Sequence, residues 1–527
     1  MSRILSPNQI QSYGSFLQKC INRNALDEGK RFFSHIMSNG FKADLSLNNL
    51  MLDLYVKCGC MTQAHDFFNG LMERDTCTWE CMLEGCNEHG LWKELMTLFR
   101  DMESESLTPN QHICIMFLGA CAQVSSLRSG MAMHACVIKH GHIMDMSLMT
   151  SLISMYAKCG SMDDALFIFF QIPCHKIAMW NMMLVGCTLH GNPHEAIQLF
   201  WKMQDDRNHV TPNEAICVSA LKACAKGRVL REGKEIHDCV IRNKLESLSV
   251  GNTLINMYSK CGRVKDARRV FDNITQPDIV TWSAMIAGYG EHKCADESFK
   301  LFLAMETKCV YMNEVTFLNI LKSCISREYL DKARVIHGHI TKRALTLGGG
   351  FLENTLIDVY AKCGNLIDAC HVFKLLSTRN VVSWSALIAG HTHHGFQTDA
   401  LALFHMMMRV ENGISPNSTT FVSALKACAD SRSLEIGQKI HFQVCENGLD
   451  LELLVGSAIV DMYSKCGNVK DGRYVFNTMP KRNIVSWSSL IAGYVEHGAP
   501  DEAIQLFWQM ESDSVKPDEV IFVAILK

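Results

Sequence analysis

Three short sequence markers recur together along the whole chain at a nearly constant spacing. The tripeptide Lys-Cys-Gly carries its cysteine at positions 58, 159, 261, 363 and 466, in steps of 101, 102, 102 and 103 residues. The same steps separate five tryptophans: Trp79, Trp180, Trp282, Trp384 and Trp487. A third marker is the cysteine that closes QKC, GAC, KAC, KSC and KAC: Cys20, Cys121, Cys224, Cys324 and Cys428. Three unrelated markers in one register indicate an internal repeat.

Each cycle divides into three similar helical hairpins. In residues 279–313 apolar or small residues fall at i, i+3, i+4 and i+7 from Trp282 to Tyr289, which is one face of a helix. After a Gly/Glu/His break the same spacing returns from Ser298 to Met305. The segment 248–278 shows the same two halves around Lys-Cys-Gly, where glycine suits a left-handed helix end, and 214–247 does so around Gly227.

Two helices of this length cannot bury their apolar stripes alone, so neighbouring hairpins must stack. Hydrophobic residues make up 48% of the chain and only 10 residues are proline, which favours a helical protein with a buried core. The sequence therefore predicts an all-α fold, a right-handed α-solenoid superhelix without strands.

The markers predict a lead-in over 1–9, fifteen repeats, and a sixteenth repeat over 519–527 that is incomplete and has no polar capping helix. Repeat lengths cycle near 35, 31 and 35, and we refer to the three types as long, short and standard. The predicted repeats are 10–44, 45–75, 76–110, 111–145, 146–176, 177–213, 214–247, 248–278, 279–313, 314–349, 350–380, 381–417, 418–452, 453–483 and 484–518.

Charge and hydropathy exclude several classes of protein. The formal net charge is −3, so no chain-wide basic signal marks a nucleic-acid binder and any polyanion must be bound locally. No window approaches 18 uninterrupted apolar residues, so we expect no membrane association. The opening MSRILSPNQIQSYGS runs into patterned sequence too early for a clear transit peptide.

The 24 cysteines and 22 histidines raise the question of zinc. Zinc sites need close local pairs such as Cys-x-x-Cys, and the chain contains none, so we expect no metal and no other cofactor. Without a secretory signal the cysteines are interpreted as reduced thiols that pack between helices. The recurring histidines of the long repeats are likewise interpreted as inter-helix residues: His35, His134, His237, His337 and His441.

The segments VGNTLINMYSKCGRVKDARRVFDNI (250–274), DIVTWSAMIAGYGEH (278–292) and SALKACAKGRVLREGKEIHDCVI (219–241) closely resemble the short, standard and long motifs of plant pentatricopeptide repeat proteins of the PLS subfamily. The likeness extends over 10–527. It implies sequence-specific binding of single-stranded RNA in a mitochondrion or chloroplast, one base per repeat, most often to direct C-to-U editing. A stacked array can address splayed bases at a regular spacing.

The resemblance also implies which residues read the bases: the fifth and the last residue of each standard and short repeat. In standard repeats these are Glu80 with Asn110, Asn181 with Asn213, Ser283 with Asn313, Ser385 with Asn417, and Ser488 with Asp518. In short repeats they are Asn49 with Asp75, Thr150 with Lys176, Asn252 with Asp278, Asn354 with Asn380, and Ser457 with Asn483.

Two pairs depart from the family's combinations, Glu80/Asn110 and Thr150/Lys176, so their bases are expected to be unread. The family's pairing rules then give the target 5′-N U N N N Y N U A N Y A N A G-3′. Long repeats carry residues without a polar side chain at the first position and are expected to be spacers: Gly14, Ile115, Val218, Leu318 and Val422.

A second interpretation of the polar residues needs no RNA. Asn, Ser and Asp near a helix start are most often N-caps or solvated residues, and only their recurrence in a recognised register favours base reading. The five tryptophans could be base-stacking platforms, but their helical spacing favours core packing.

Editing enzymes of this family carry His-x-Glu and Cys-x-x-Cys zinc motifs in a deaminase domain, and neither motif occurs here. We therefore expect no enzymatic activity and no small-molecule substrate, with a deaminase-bearing protein as a partner in trans. The alternative function is a protein–protein interaction scaffold, since solenoids of helical hairpins commonly bind peptides.

Overall fold

The computed structural model describes residues 7–38, 44–105, 107–139, 145–172, 175–190, 192–205, 210–343, 350–409, 413–513 and 515–526. All regular structure in these ranges is helical. The chain forms two compact halves, residues 1–261 and 262–527. The first half contains α1 (Pro7–Arg23), α2 (Leu26–Ser38), α3 (Leu45–Lys57), α4 (Met61–Gly70), α5 (Thr76–Glu88), α6 (Trp92–Ser104), α7 (Gln111–Val124), α8 (Leu127–Lys139), α9 (Met146–Cys159), α10 (Met162–Gln171), α11 (Ile177–His190), α12 (Pro193–Asp205), α13 (Glu214–Gly227), α14 (Leu230–Arg242) and α15 (Leu248–Lys260).

The second half continues the series, with a 3₁₀ turn at Arg327–Tyr329 before α20. Its helices are α16 (Val264–Asn273), α17 (Ile279–Glu291), α18 (Ala295–Thr307), α19 (Glu314–Ser323), α20 (Leu330–Lys342), α21 (Phe351–Lys362), α22 (Leu366–Leu375), α23 (Val381–His393), α24 (Gln397–Arg409), α25 (Ser418–Ser431), α26 (Leu434–Glu446), α27 (Leu453–Lys465), α28 (Val469–Thr478), α29 (Ile484–Glu496), α30 (Pro500–Ser512) and α31 (Glu519–Leu526).

Within each half the helices form stacked hairpins. Odd-numbered helices pack on the next odd-numbered helix and on the even-numbered helix that follows them, so the first helices of successive hairpins form a continuous row. The predicted all-α solenoid is confirmed. Helix α1 begins at Pro7, three residues before the expected start of the first repeat. Across the described ranges, no helix is long and apolar enough to cross a lipid bilayer.

The alternation of repeat lengths comes from the second helix of each hairpin. In the short repeats this helix has 10 residues, as in α4, α10, α16, α22 and α28. In long and standard repeats it has 13 residues, as in α14 and α18. Three residues are nearly one helical turn, so a short repeat lacks about one turn of its second helix.

The five recurring tryptophans are core residues, as the helical spacing indicates. Each lies edge-on against a phenylalanine of the preceding short repeat's second helix, with ring centroids 4.6–4.8 Å apart. Trp384, for example, is 1% exposed and packs on Phe373. Buried rings of this kind cannot act as base-stacking platforms, so these residues stabilise the boundary between short and standard repeats.

A histidine–tyrosine hydrogen bond joins four of the five long repeats to the following short repeat. Nδ1 of His237 on α14 lies 2.9 Å from the hydroxyl oxygen of Tyr258 on α15. The same bond recurs at 2.9–3.0 Å in three other cycles: His134–Tyr156, His337–Tyr360 and His441–Tyr463. These histidines are inter-helix residues, as predicted.

Two structural features favour glycine at the last position of Lys-Cys-Gly. Gly467 adopts φ +84°, which favours glycine, and a Cβ there would lie 3.3 Å from Cε1 of His497 in the next standard repeat. His497 in turn places Nε2 2.9 Å from the carbonyl oxygen of Ser464. In the long repeat 214–247, however, the left-handed residue is Arg228 (φ +53°) and Gly227 ends the helix, so glycine is not the residue that makes that turn.

Candidate nucleic-acid interface

Nine of the ten predicted last residues are N-caps of the following first helix. In each, side-chain Oδ1 accepts a hydrogen bond from the backbone N–H three residues later, at 2.8–3.0 Å. The nine are Asp75, Asn110, Asn213, Asp278, Asn313, Asn380, Asn417, Asn483 and Asp518. The exception is Lys176, whose exposed side chain has no oxygen with which to cap α11. The structural explanation for these residues is thus correct, and it fixes how each side chain is oriented.

Four predicted pairs are in direct contact. Nδ2 of Asn49 lies 3.2 Å from Oδ1 of Asp75, and Nδ2 of Asn110 lies 3.1 Å from Oε2 of Glu80. Two serine hydroxyls donate toward the cap oxygen of their partner, at 3.1 Å for Ser457 with Asn483 and at 3.4 Å for Ser385 with Asn417. In these repeats the two predicted residues lie side by side.

A threonine bridges a fifth pair. The hydroxyl of Ser283 lies 2.9 Å from that of Thr316, which also donates to Oδ1 of Asn313 at 3.0 Å. The hydroxyl oxygens of Thr420 and Ser385 lie 2.6 Å apart in the same arrangement. Threonine at the third position of a long repeat's first helix thus belongs to the site, a role that the sequence analysis did not predict.

The remaining pairs are not joined in this way. Asn181 accepts a hydrogen bond from Ser219 rather than bonding Asn213, and Thr150 donates to the carbonyl of Met146 in its own helix. Among the described residues no hydrogen bond joins Thr150 to Lys176, Asn354 to Asn380, or Ser488 to Asp518. Asn252 and Asp278 lie in different halves of the chain and are described separately.

Asp75 is an ionised acceptor at neutral pH. Burial raises the pKa of Asp75, but hydrogen bonds from the hydroxyl and N–H of Thr78 and from the Asn49 amide outweigh burial and hold the pKa below its ordinary value. All three bonds go to Oδ1, at 2.7, 2.8 and 3.2 Å. The carboxylate therefore keeps Oδ2 as an acceptor for another molecule.

Exposed valines accompany the polar residues of three standard repeats, another feature that sequence reasoning missed. Val280, Val382 and Val485 are 53–55% exposed although valine is apolar. Each lies three residues before the serine of its repeat on the same helix, which puts the two on one face. The available signal was a β-branched apolar residue at the second position of each such repeat.

Lysines of Lys-Cys-Gly lie at the ends of first helices in both halves of the chain. Lys57 pairs with Glu88 at 2.6 Å and Lys362 with Asp358 at 2.7 Å, while Lys465 lies 3.2 Å from Asp430. All are partly exposed ion pairs, which contribute little stability and exchange partners readily.

The long repeats place side chains without polar groups at the equivalent position, and all five are half-buried: Gly14, Ile115, Val218, Leu318 and Val422. Over the described part of the chain no cluster of three or more His, Cys, Asp or Glu could hold a metal ion. The marker cysteines do meet in space, which their sequence distance conceals: Sγ of Cys363 lies 3.2 Å from the carbonyl oxygen of Cys324. These are packing contacts between a long and a short repeat.

Comparison with known proteins defines the class. A family model described as PPR repeat matches residues 49–75, 77–107, 147–177, 178–208, 252–276, 280–310, 354–381, 382–410 and 457–484, and one described as PPR repeat family matches 482–527. The chain belongs to the pentatricopeptide repeat proteins. It is 33% identical to a chloroplastic pentatricopeptide repeat-containing protein of Arabidopsis thaliana over 91% of this chain and 77% of the relative. A mitochondrial relative from the same plant is 30% identical over 98% of this chain and 67% of the relative.

The fold also matches solved structures. The crystal structure of the pentatricopeptide repeat protein PPR10 from maize superposes with a TM-score of 0.66 at 18% identity, over 99% of this chain and 82% of that chain. A second structure shows PPR10 in complex with an 18-nt psaJ RNA element and superposes with a TM-score of 0.61.

Proposed function

We propose that this chain binds single-stranded organellar RNA sequence-specifically, one base per repeat, through the predicted pairs, of which Glu80/Asn110 and Thr150/Lys176 have no base assigned by the pairing rules. The RNA complex of maize PPR10 supports an RNA ligand for this fold. The observation that carries the proposal is the orientation of the last residues: in Asp75, Asn313 and Asp518 capping occupies Oδ1, so the other end of the side chain can meet a ligand.

Capping gives Asn and Asp opposite chemistry at that end. Asn retains its Nδ2 amide, a donor, which suits the N1 of adenine or the N3 of cytosine. Asp retains Oδ2, an acceptor, which suits the N1–H of guanine or the N3–H of uracil. Asp therefore disfavours adenine and cytosine, whereas Asn suits adenine and cytosine and can also donate to a carbonyl oxygen of uracil.

The fifth residue would then separate large bases from small ones. A short serine hydroxyl leaves room for a purine, whereas the longer asparagine amide reaches a pyrimidine. Asn with Asp selects U, Asn with Asn selects C or U, Ser with Asn selects A, and Ser with Asp selects G, with the amino terminus of the protein toward the 5′ end. The proposed target is 5′-N U N N N Y N U A N Y A N A G-3′.

Other exposed groups of the same row complete the interface. The exposed valines Val280, Val382 and Val485 would sandwich successive bases, and the lysines at the ends of first helices would exchange their carboxylate partners for phosphates. Binding of this kind needs no chain-wide positive charge.

We further propose the PLS subfamily and a role in C-to-U editing in a chloroplast or mitochondrion. Short repeats with a 10-residue second helix alternate with longer ones, and the matched family segments fall mainly on short and standard repeats. One relative is named as chloroplastic and another as mitochondrial, which supports localisation to either organelle. A deaminase-bearing protein acting in trans is the proposed partner for deamination, which requires zinc-activated water and a glutamate proton shuttle.

Titration of the purified chain with RNA tests the proposal. A 15-nucleotide RNA of the proposed sequence is compared with one in which the eighth and ninth bases, U and A, are exchanged. We expect a loss in affinity of about tenfold or more from the exchange. Equal binding of both RNAs would contradict base reading, and no binding of either would favour the protein-scaffold function.

A further inference from the structure

The pair Glu80/Asn110 is the one predicted pair with a carboxylate at its first position. Oδ1 of Asn110 caps α7 by accepting from the N–H of Ile113 at 2.9 Å, and Nδ2 donates to Oε2 of Glu80 at 3.1 Å. Both ends of this asparagine are therefore engaged within the protein. The Nδ2 amide that would otherwise donate to a base is here bonded to Glu80.

The group that remains for a ligand is the carboxylate of Glu80. Glu80 is half-buried on α5, and its Oε1 has no hydrogen-bond partner in the part of the chain that the structure describes. At the equivalent position the other standard repeats carry neutral side chains: Asn181, Ser283, Ser385 and Ser488. A carboxylate is an acceptor only, so the repeat presents the opposite hydrogen-bonding character to that of a Ser/Asn pair.

We propose that Glu80 is a specificity-determining residue that selects guanine at the third base of the RNA, and this inference rests on the proposed function. Guanine presents two adjacent donors on its Watson–Crick edge, N1–H and the exocyclic amine, and both can face a carboxylate. Hydrogen bonds to an ionised acceptor are about twice as strong as neutral ones. Uracil offers one donor. Adenine N1 and cytosine N3 carry lone pairs, which repel the carboxylate.

The charges around Glu80 require a control. Glu84 lies one turn further along α5, and Glu88 at its end holds Lys57 at 2.6 Å. This acidic surface disfavours phosphate at any base, so a change in overall affinity alone would not show base reading. Glu84→Gln removes the same charge from the same helix without touching the pair.

The test compares four RNAs of the proposed sequence that differ only at the third base. The wild-type chain and Glu84→Gln are expected to prefer guanine by about tenfold over adenine. Glu80→Ser recreates the Ser/Asn pair of 279–313 and is expected to prefer adenine, while Glu80→Gln is expected to lose the preference for guanine. A circular dichroism melt confirms that each variant is folded.

The possible failures are separable. Equal binding of the four RNAs by the wild-type chain, together with discrimination at the eighth and ninth bases, would overturn the role of Glu80 and leave the proposed function intact. Retention of the guanine preference by Glu80→Ser would overturn it too. Loss of discrimination at every base would instead remove the proposed function.

Discussion

The hydroxyl oxygens of Ser283 and Thr316 lie 2.9 Å apart across the boundary between a standard and a long repeat. Both residues are buried, with 8% and 0% of their surfaces exposed, and Thr316 also contacts the cap oxygen of Asn313. One threonine therefore orients both members of a proposed base-reading pair.

Replacing Thr316 with valine keeps the shape of the side chain but removes this hydroxyl. We expect the free energy of unfolding to fall by about 1 kcal/mol, and the preference for adenine at the ninth base to weaken because Ser283 loses its partner. Thermal melts and RNA titration measure the two effects. Thr307→Val, at an exposed position with a local hydrogen bond to Ala304, is the control. An unchanged base preference would contradict the orienting role.

Asp518→Asn is expected to change base preference without loss of stability. Oδ1 of Asp518 accepts from the N–H of Ile521 at 3.0 Å, and an asparagine oxygen can do the same. The substitution exchanges the remaining acceptor for a donor. The preference at the final base should therefore shift from G toward A, by roughly 1–3 kcal/mol of binding free energy. Selection from RNAs randomised at that base measures the shift, and the same final base for both proteins would refute the pairing rule here.

Gly467→Ala is expected to destabilise more than Gly498→Ala. Both glycines have φ near the left-handed region, at +84° and +75°, so each alanine costs about 1–2 kcal/mol. Only at Gly467 does a Cβ approach a neighbour, His497 at 3.3 Å, whereas nothing lies within 4 Å at Gly498. Thermal melts of the two variants separate backbone strain from the contact with histidine, and equal losses would show that the contact contributes nothing.

Stability is expected to fall as the pH drops below the ordinary histidine pKa of 6.5. Burial lowers the pKa of His134, His237, His337 and His441, and nearby acidic groups only partly oppose this. The unfolded chain thus binds more protons than the folded one, and acid favours unfolding. The charged or titratable groups that face these histidines are Asp164, Asp238, Glu246, Asp368, His371, Asp450 and Asp471.

Urea midpoints measured between pH 7.5 and 5.5 test this expectation. His337→Gln should lose some stability at pH 7.5, because its bond to Tyr360 changes, but should show a shallower decline toward pH 5.5 than the wild type. An equal slope in both proteins would show that His337 does not take part.

Most of the marker thiols should be unreactive in the folded chain. Burial raises the pKa of Cys121, Cys224 and Cys428 to about 12, so little thiolate forms at pH 8. We expect a thiol reagent to modify the exposed Cys77, Cys309 and Cys445 first, with the buried Cys121, Cys224 and Cys428 reacting only in denaturant. Peptide mapping by mass spectrometry identifies the sites, and rapid native modification of Cys224 would contradict the burial.

The helical hairpins could be predicted from sequence because their signals are local. Trp282 and the apolar residues after it mark a helix face, and Lys-Cys-Gly marks a helix end. Contacts between hairpins could not be predicted in the same way. Ser283 contacts Thr316, and Cys363 contacts Cys324, because helices more than thirty residues apart in sequence stack on each other. A single sequence does not show which residues become neighbours through such stacking.

The candidate site, too, could be predicted only where the signals are local. The positions of Asp75 and Asn313 at helix starts follow from their residue types, and capping was foreseen as the alternative interpretation. Which oxygen makes the cap, and which atom is left for a ligand, depends on side-chain geometry. Likewise, the engagement of Asn110 by Glu80 cannot be deduced from a spacing of 30 residues.

The three kinds of boundary between hairpins use different contacts, and this limits how the chain can be rebuilt. A long repeat offers a histidine to the tyrosine of a short repeat, as in His441–Tyr463. A short repeat offers a glycine to the histidine of a standard repeat, as in Gly467 with His497. At two boundaries a serine of a standard repeat contacts a threonine of the following long repeat: Ser283–Thr316 and Ser385–Thr420. A single hairpin moved elsewhere would meet the wrong neighbour on both sides, so the exchangeable module for engineering is the whole block of three.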